Sequence, residues 1–500
     1  MSILLKGGVL LIHQGPNDDV HPTKADLLIR DSNIAAIGRG IDPGDAEIID
    51  CAGKLISPGF IDTHHHVWQS CLKATHPNDT LLDYFWKGNF INSMLAPDEI
   101  FWSQLAGAME CVDSGTTTVV DHATVNYSEK HSDEELHLAY EALRATVGSG
   151  IRSIFGYCPT PIVSSWNPEF KLVPDMLPPW VMENFDKLAT QNPFGPNGRV
   201  RLGFAFDGLW LPKEYLQPLF ARVREAGAQL ITAHAAYGAS FGAPHAPSTV
   251  ENLKSKDLLG PGLLLSHFTN PKPGDTQILA ESGVTVSTTP STELQMGHGN
   301  PVCFDEHLKP VSGLGIDCHS VCSAYIPGQM NLVLQWARAR RHEELEAKGK
   351  WSKTVEYSVR DVYNFGTIQG ARVIGMESQI GSLSVGKKAD IVIFDTESPG
   401  MAVAADRDPL AAIVLHSSIR DVETVIIDGI VRKQQGRLDS VKLPVGIDSS
   451  SEGETVTWKT VLGRVAGLAK EVDERKKAID PEVAENGVLQ AFYMNTAARC

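Results

Sequence analysis

Pro58-Gly59-Phe60-Ile61-Asp62-Thr63-His64-His65-His66 is the stretch from which the rest of the chain can be read. An apolar run beginning at Leu55 ends here in histidines, as a buried strand does when its C-terminal tip delivers ligands. Side chains alternate along a strand, so His64 and His66 share one face and His65 points the other way. Two imidazoles two residues apart can hold one metal ion from a single side; a His-rich strand end without metal is the plainer alternative. The remainder of the chain decides between them.

Working outward, apolar segments recur at 55–62, 116–121, 152–157, 199–206, 229–234, 262–267, 284–288 and 313–317, each followed by a helical pattern. Strands that alternate with helices imply parallel βαβ units, and eight of them imply an α/β chain folded as a (β/α)8 TIM barrel. The helices carry their own punctuation. Ser132-Asp133-Glu134-Glu135 reads as a capping box, and the helices over 214–225 and 275–281 are stopped by Gly227 and Gly283. Short strands precede the barrel at 3–5, 8–12, 26–30, 34–37 and 47–49, with a hairpin turn at Asp31-Ser32-Asn33. Others follow it at 391–394, 422–427 and 430–433, with a turn at Asp428-Gly429. Short strands need a covering sheet. We therefore expect 1–57 and 376–440 to build one composite β-sandwich domain, with a barrel at 58–375 inserted between its halves. Residues 441–500 read as a polar linker, Ser/Gly-rich over 440–454, and a helical tail. In the tail Trp458, Val461, Leu462, Val465, Leu468, Ala469 and Val472 recur at amphipathic spacing, as for packing on the barrel or a second subunit.

A length of 500 residues suits a barrel of about 250 residues or more plus an accessory domain. A net charge of −16 and a pI near 5.5 argue against nucleic acid or an anionic membrane as partner. No run of about 18 apolar residues exists, so no membrane span is expected. The N-terminus MSILLKGGVLLIHQG does not resemble a signal peptide, since a Lys and two glycines interrupt it. The eight cysteines are scattered without framework spacing, which points to reduced thiols in the cytoplasm.

His64, His66, His234, His267 and Asp317 all stand at strand ends, and in such barrels the C-terminal ends form one mouth. A single His on an apolar strand is ordinarily a satisfied core residue; this set on one mouth is harder to assign to chance. Three imidazoles and a carboxylate suit one divalent ion, Zn2+ first, with Fe2+, Co2+ or Mn2+ as alternatives. An open coordination position would make a hydroxide nucleophile from water near neutral pH.

The motifs PGFIDTHHH (58–66), SGTTTVVD (114–121), ITAH (231–234), LLLSH (263–267), GLGID (313–317) and IGSLSVGKKADIVIFD (380–395) occur in this order. On these the chain resembles the amidohydrolase superfamily over residues 3–438, in the branch with cytosine deaminase, adenosine-homologue deaminases and triazine chlorohydrolases. The resemblance implies His64, His66, His234 and Asp317 as metal ligands. It implies His267 as the group that orients water or substrate, Asp317 also as general base, and a homodimer or larger oligomer. One position departs from the pattern. Deaminases of this branch place Glu three residues after the fifth-strand His, and here that position is Tyr237. A phenol with a reference pKa near 10 is a poor proton shuttle at neutral pH.

Asp207, after strand four, is open to three readings: the missing carboxylate, a bridge to a second metal, or an N-cap for the turn that follows. His319, two residues past Asp317, is expected at the rim, able to protonate a leaving group, unless it is a plain loop histidine. His298 lies in the loop after strand seven, where it would meet substrate. The loop after strand one is aromatic (Trp68, Tyr84, Phe85, Trp86, Phe90) and includes Gln69 and Lys73. Of these, Trp68 and Gln69 are the expected substrate contacts, with Tyr237 after strand five as a further one. The reading is a cytoplasmic metal-dependent hydrolase whose metal-bound hydroxide cleaves a non-peptide C–N bond in a small cyclic or aromatic compound. A decarboxylase, carbon–carbon lyase or isomerase on the same site, and a catalytically dead scaffold, are the alternatives.

Overall fold

The computed structural model describes residues 2–125, 137–236, 247–447 and 452–494. The capping box expected at Ser132 and the Tyr237 position lie outside the described residues.

Eight parallel strands form the barrel: Phe60–His66, Thr116–Ala123, Arg152–Tyr157, Val200–Ala205, Ile231–His234, Leu263–Ser266, Thr285–Thr288 and an interrupted eighth. The eighth closes the ring by dividing its pairing. Ser312–Leu314 pairs with strand seven, and Asp317–Cys318 pairs with strand one. Between the halves, Gly315 N–H donates to Thr288 O at 2.9 Å and Ile316 N–H to His64 O at 3.2 Å. A Cβ on Gly315 would stand 2.8 Å from His64 O, so only glycine lets strand eight approach strand one this closely.

The apolar run at 55–62, expected as one strand, is two. Leu55–Pro58 pairs antiparallel with Ile391–Phe394, and Phe60–His66 belongs to the barrel. Gly59 makes the crossing, where a Cβ would begin 2.0 Å from Thr117 Oγ1. Leu55–Pro58 thus joins the two ends of the chain in one nine-stranded sheet. The sheet runs Arg437–Leu438, Ile430–Gln434, Val422–Ile427, Ile391–Phe394, Leu55–Pro58, Ser2–Gln14, Asp19–Arg30 and Asn33–Gly38, with Glu47–Asp50 also on Ser2–Gln14. The short strands expected at 3–5 and 8–12 are one strand with a bulge between Leu5 and Gly8. The bulge bends it, so its first half pairs with Glu47–Asp50 and its second with Leu55–Pro58. The folded sheet encloses Ile3, Leu5, Leu10, Ile29, Ile391, Ile393 and Ile426, a sandwich core built from both termini.

Barrel and β-domain are locked by buried charge at the end opposite the mouth. Arg152, at the start of strand three, donates through Nε to Asp390 Oδ2 at 2.7 Å and through Nη2 to Asp390 Oδ1 at 3.0 Å. Its Nη2 also reaches Asp428 Oδ1 at 3.4 Å. The Lys-Lys-Ala-Asp390 part of the C-terminal motif is therefore a clamp rather than chemistry.

The segment expected as a linker forms a hairpin, Val441–Pro444 with Glu452–Val456, because its flanks alternate and Val441, Leu443 and Val456 are buried against the barrel helices. The amphipathic helix Trp458–Lys476 buries Val461, Val465, Leu468 and Val472. A second helix, Pro481–Ala491, follows it. No helix among the described residues is long and apolar enough to cross a membrane.

Candidate metal centre and active site

Alternation along strand one sorts the three histidines as the sequence requires. His65 turns away from the mouth, its Nδ1 2.7 Å from Asp62 Oδ2. His64 and His66 turn inward and meet Asp317, whose Oδ1 lies 3.2 Å from His64 Nε2 and 3.3 Å from His66 Nε2. His234, from the end of strand five, brings its Nε2 to 3.2 Å from His66 Nε2. Each imidazole is held by its other nitrogen. His66 Nδ1 donates to His122 O at 2.7 Å, His234 Nδ1 donates to Asp207 Oδ1 at 2.9 Å, and His64 Nδ1 meets Ser266 Oγ at 2.7 Å. These bonds fix the rings and leave lone pairs on the converging Nε2 atoms, as an outer ligand shell does.

The convergence fits a cation. His64 Nε2 is buried without a hydrogen-bond partner in the protein. Four donors about 2.1 Å from one centre in a tetrahedron stand about 3.4 Å apart, close to the separations here. Burial drives the His64 imidazole well below its usual range, so it stands neutral. Burial works against ionised Asp317 too, but His64 and His66 outweigh it and hold the carboxyl well below the carboxylate range. His267 and Asp317 both have left-handed backbones, with φ of +72° and +70°. Such strain at non-glycine residues concentrates at functional sites.

The mouth opens into a cavity of about 420 Å³ lined by His66, His234, Asp317, His267, His298 and Asp207, with apolar walls that include Leu81, Phe85, Phe90, Leu209 and Met296. His267 Nδ1 meets Thr289 Oγ1 at 2.8 Å, which leaves Nε2 for the cavity. His298 packs edge-on against His267 at 4.9 Å, and neither of its ring nitrogens has a protein partner. Burial lowers His298 to about 4, so it stands at the cavity wall as a neutral imidazole.

Four expectations change. His319 is not at the rim: it is fully buried, its Nδ1 2.9 Å from Glu110 Oε2 and its ring 4.3 Å from His65. It follows Asp317 into the barrel wall, where burial lowers it to about 4. Trp68 does not see the cavity, because strand one gives way to a 3-10 turn that buries its ring, with Nε1 on Thr124 Oγ1 at 2.9 Å. Gln69 is buried behind the wall and donates to Tyr84 OH at 2.7 Å; Tyr84, Phe85 and Phe90 do line the cavity. Asp207 is no free proton carrier. Its carboxylate accepts from the backbone N–H and the Nδ1 of His234, and with His122 that histidine holds it well below the carboxylate range despite burial.

His122 was missed because strand two runs on to Ala123, past the apolar segment that ended at Asp121. Its Nε2 lies 3.5 Å from Asp207 Oδ2 and its ring 4.2 Å from that of His234. Glu293 was also missed. Its Oε1 accepts from Thr289 N–H at 2.8 Å, its Oε2 has no partner, and burial pushes the carboxyl up to about 8. The native chain keeps a proton there that the unfolded chain releases near 4.5, so this group makes stability fall as pH rises from 4.5 to about 8. Glu293→Gln keeps the acceptor and removes the ionisation. In metal-free protein its melting temperature is expected to fall less than the wild type's across that window; parallel curves would show that Glu293 is ionised in the native state.

A (β/α)8 barrel with three imidazoles and a carboxylate converging at its mouth defines a class of metal-dependent hydrolases. The sequence model of the Amidohydrolase family matches residues 55–431, and the chain belongs to that family. It is 25% identical over 457 residues to a 5'-deoxyadenosine deaminase of Methanobrevibacter smithii, covering 88% of this chain and 94% of the relative. It is 26% identical over 408 residues to a 5-methylthioadenosine/S-adenosylhomocysteine deaminase of Acetivibrio thermocellus, covering 79% and 84%. Similar solved structures include an adenosine deaminase from Xanthomonas campestris with bound zinc (TM-score 0.74, 16% identity, 94% of this chain and 98% of that one). A mutant atrazine chlorohydrolase from Arthrobacter aurescens TC1 with zinc and atraton is also similar (TM-score 0.74, 19% identity, 93% and 100%). The protein is thus a metal-dependent hydrolase of carbon–nitrogen bonds other than peptide bonds, and the lyase and scaffold alternatives are not favoured.

Proposed function

We propose that the protein is a zinc hydrolase that removes an amino or alkylamino group from a neutral nitrogen heterocycle. The observation that carries this is the convergence of His64, His66, His234 and Asp317 beneath a cavity whose described lining has apolar walls and neither Lys nor Arg. An ion held by these four residues supplies Lewis acidity and lowers the pKa of water. Asp317 takes the proton of the attacking water and hands it to the departing nitrogen. His267 and His298 hydrogen-bond the ring and fix which carbon faces the water. Asp207, at the cavity wall, positions His234 through its Nδ1 and backbone N–H and is not the proton carrier. With Tyr237 where deaminases carry Glu, Asp317 performs both proton steps, and the bound heterocycle needs no second carboxylate beside its ring nitrogen.

The test is zinc-loaded protein given 5'-deoxyadenosine, 5'-methylthioadenosine and aminotriazines in 18O-labelled water. Release of ammonia or amine with one solvent oxygen in the product is the expected result; a product without solvent oxygen overturns hydrolysis. Plasma mass spectrometry on protein purified without chelator is expected to find about one zinc per chain. Two equivalents would recast Asp207 as a bridging ligand.

A further inference from the structure

The C-terminal segment lies beyond the residues matched by the family, which end at 431, yet it reaches the substrate cavity. It is anchored along its length. Arg475 donates to Glu99 Oε2 and to Met94 O, each at 2.8 Å. Asn167 donates to Ala478 O at 2.6 Å and accepts from Asp480 N–H at 3.2 Å. The Asp480 carboxylate then caps helix Pro481–Ala491, accepting from Glu482 N–H at 3.0 Å and Val483 N–H at 3.3 Å. Phe492 follows the helix. Its ring stacks on Phe85 at 4.5 Å with 16° between planes and lies 6.0 Å from Phe90, and all three line the cavity. Trp210, 61% exposed, lines the same space.

The charge of the lining is as one-sided as its aromatic character. The titratable side chains that line the described cavity are the inward histidines, Asp207, Asp317 and the phenol of Tyr84. A phosphate or carboxylate on the substrate would be desolvated there without a cationic partner. An aromatic or bulky apolar group would bury its surface against stacked rings.

We propose that the C-terminal segment sets substrate selectivity through Phe492, and that the substrate is an uncharged aminated heterocycle bearing an apolar substituent seated against Phe85, Phe90 and Phe492. This rests on the heterocycle-hydrolase reading and adds which heterocycle. Melamine and N-benzylmelamine, titrated calorimetrically into the zinc-loaded full chain, differ only in such a substituent. The wild type binds the benzyl compound more tightly, and Phe492→Ala reduces the ratio of the two dissociation constants about tenfold. Phe492→Leu keeps an apolar wall and retains most of the preference, and melting curves verify that both variants are folded.

A ratio unchanged by Phe492→Ala, an equal loss for both probes, or no wild-type preference overturns the proposal. Benzyl preference that depends on Phe492 without turnover of either probe leaves the wall standing and overturns amine release from aminotriazines instead. Binding of neither probe overturns the proposal.

Discussion

Asp317→Asn is expected to lower kcat/KM on the true substrate by about a thousandfold or more, because on the proposed mechanism it removes a general base and an anionic ligand at one stroke. The replacement is nearly isosteric. Asn also tolerates the left-handed region well, so the φ of +70° at this position does not itself threaten the fold. The strand-eight backbone contacts, Ile316 N–H to His64 O among them, do not involve the carboxylate. Loss of activity with an unchanged melt therefore reports on chemistry. Metal content has to be measured alongside: weakened affinity is expected, and activity is to be compared at saturating zinc. Full activity of the zinc-loaded variant would remove Asp317 from the proton path.

Arg152→Ala is expected to cost about 3–5 kcal/mol. Arg152 is 3% exposed and Asp390 4%, so truncation leaves a buried carboxylate without its bidentate partner. Asp428 is less dependent on it, since Asn197 donates to its other oxygen at 2.7 Å. Burial disfavours the charged form of Asp428, but Asn197, Arg152, Lys388 and Arg199 outweigh it and lower its carboxyl. This stabilising contribution is present above the ordinary carboxylate pKa and is lost as pH falls through the lowered native one. The urea midpoint of the first unfolding transition should drop for Arg152→Ala at pH 7, and the gap to wild type should narrow in acid. A midpoint that does not move would mean the clamp contributes nothing net. The double change Arg152→Met with Asp390→Leu tests this from the other side, since an apolar pair of similar volume should recover much of the loss.

What the sequence alone determined is local in origin. The alternation of side chains placed His64 and His66 together and His65 apart. The eight strand ends collected His234, His267 and Asp317 on one mouth, because a strand's tip and its facing residues follow from a two-residue period. The sandwich of the two termini was legible because its strands are short and cannot stand without a partner sheet.

The tertiary structure decided what depends on neighbours distant in sequence. His319 and Asp207 both lie just past strand ends, yet Glu110 and His65 hold the first in the wall, and His234 holds the second beside the metal centre. His122 became visible only when pairing with strand three carried strand two on to Ala123. The aromatic wall joins Phe85 to Phe492, more than four hundred positions along the chain, and no periodicity in the tail tells which face meets the cavity. Strand ends are set by backbone geometry within a few residues, whereas a pocket wall is set by which surfaces pack together when the whole chain closes.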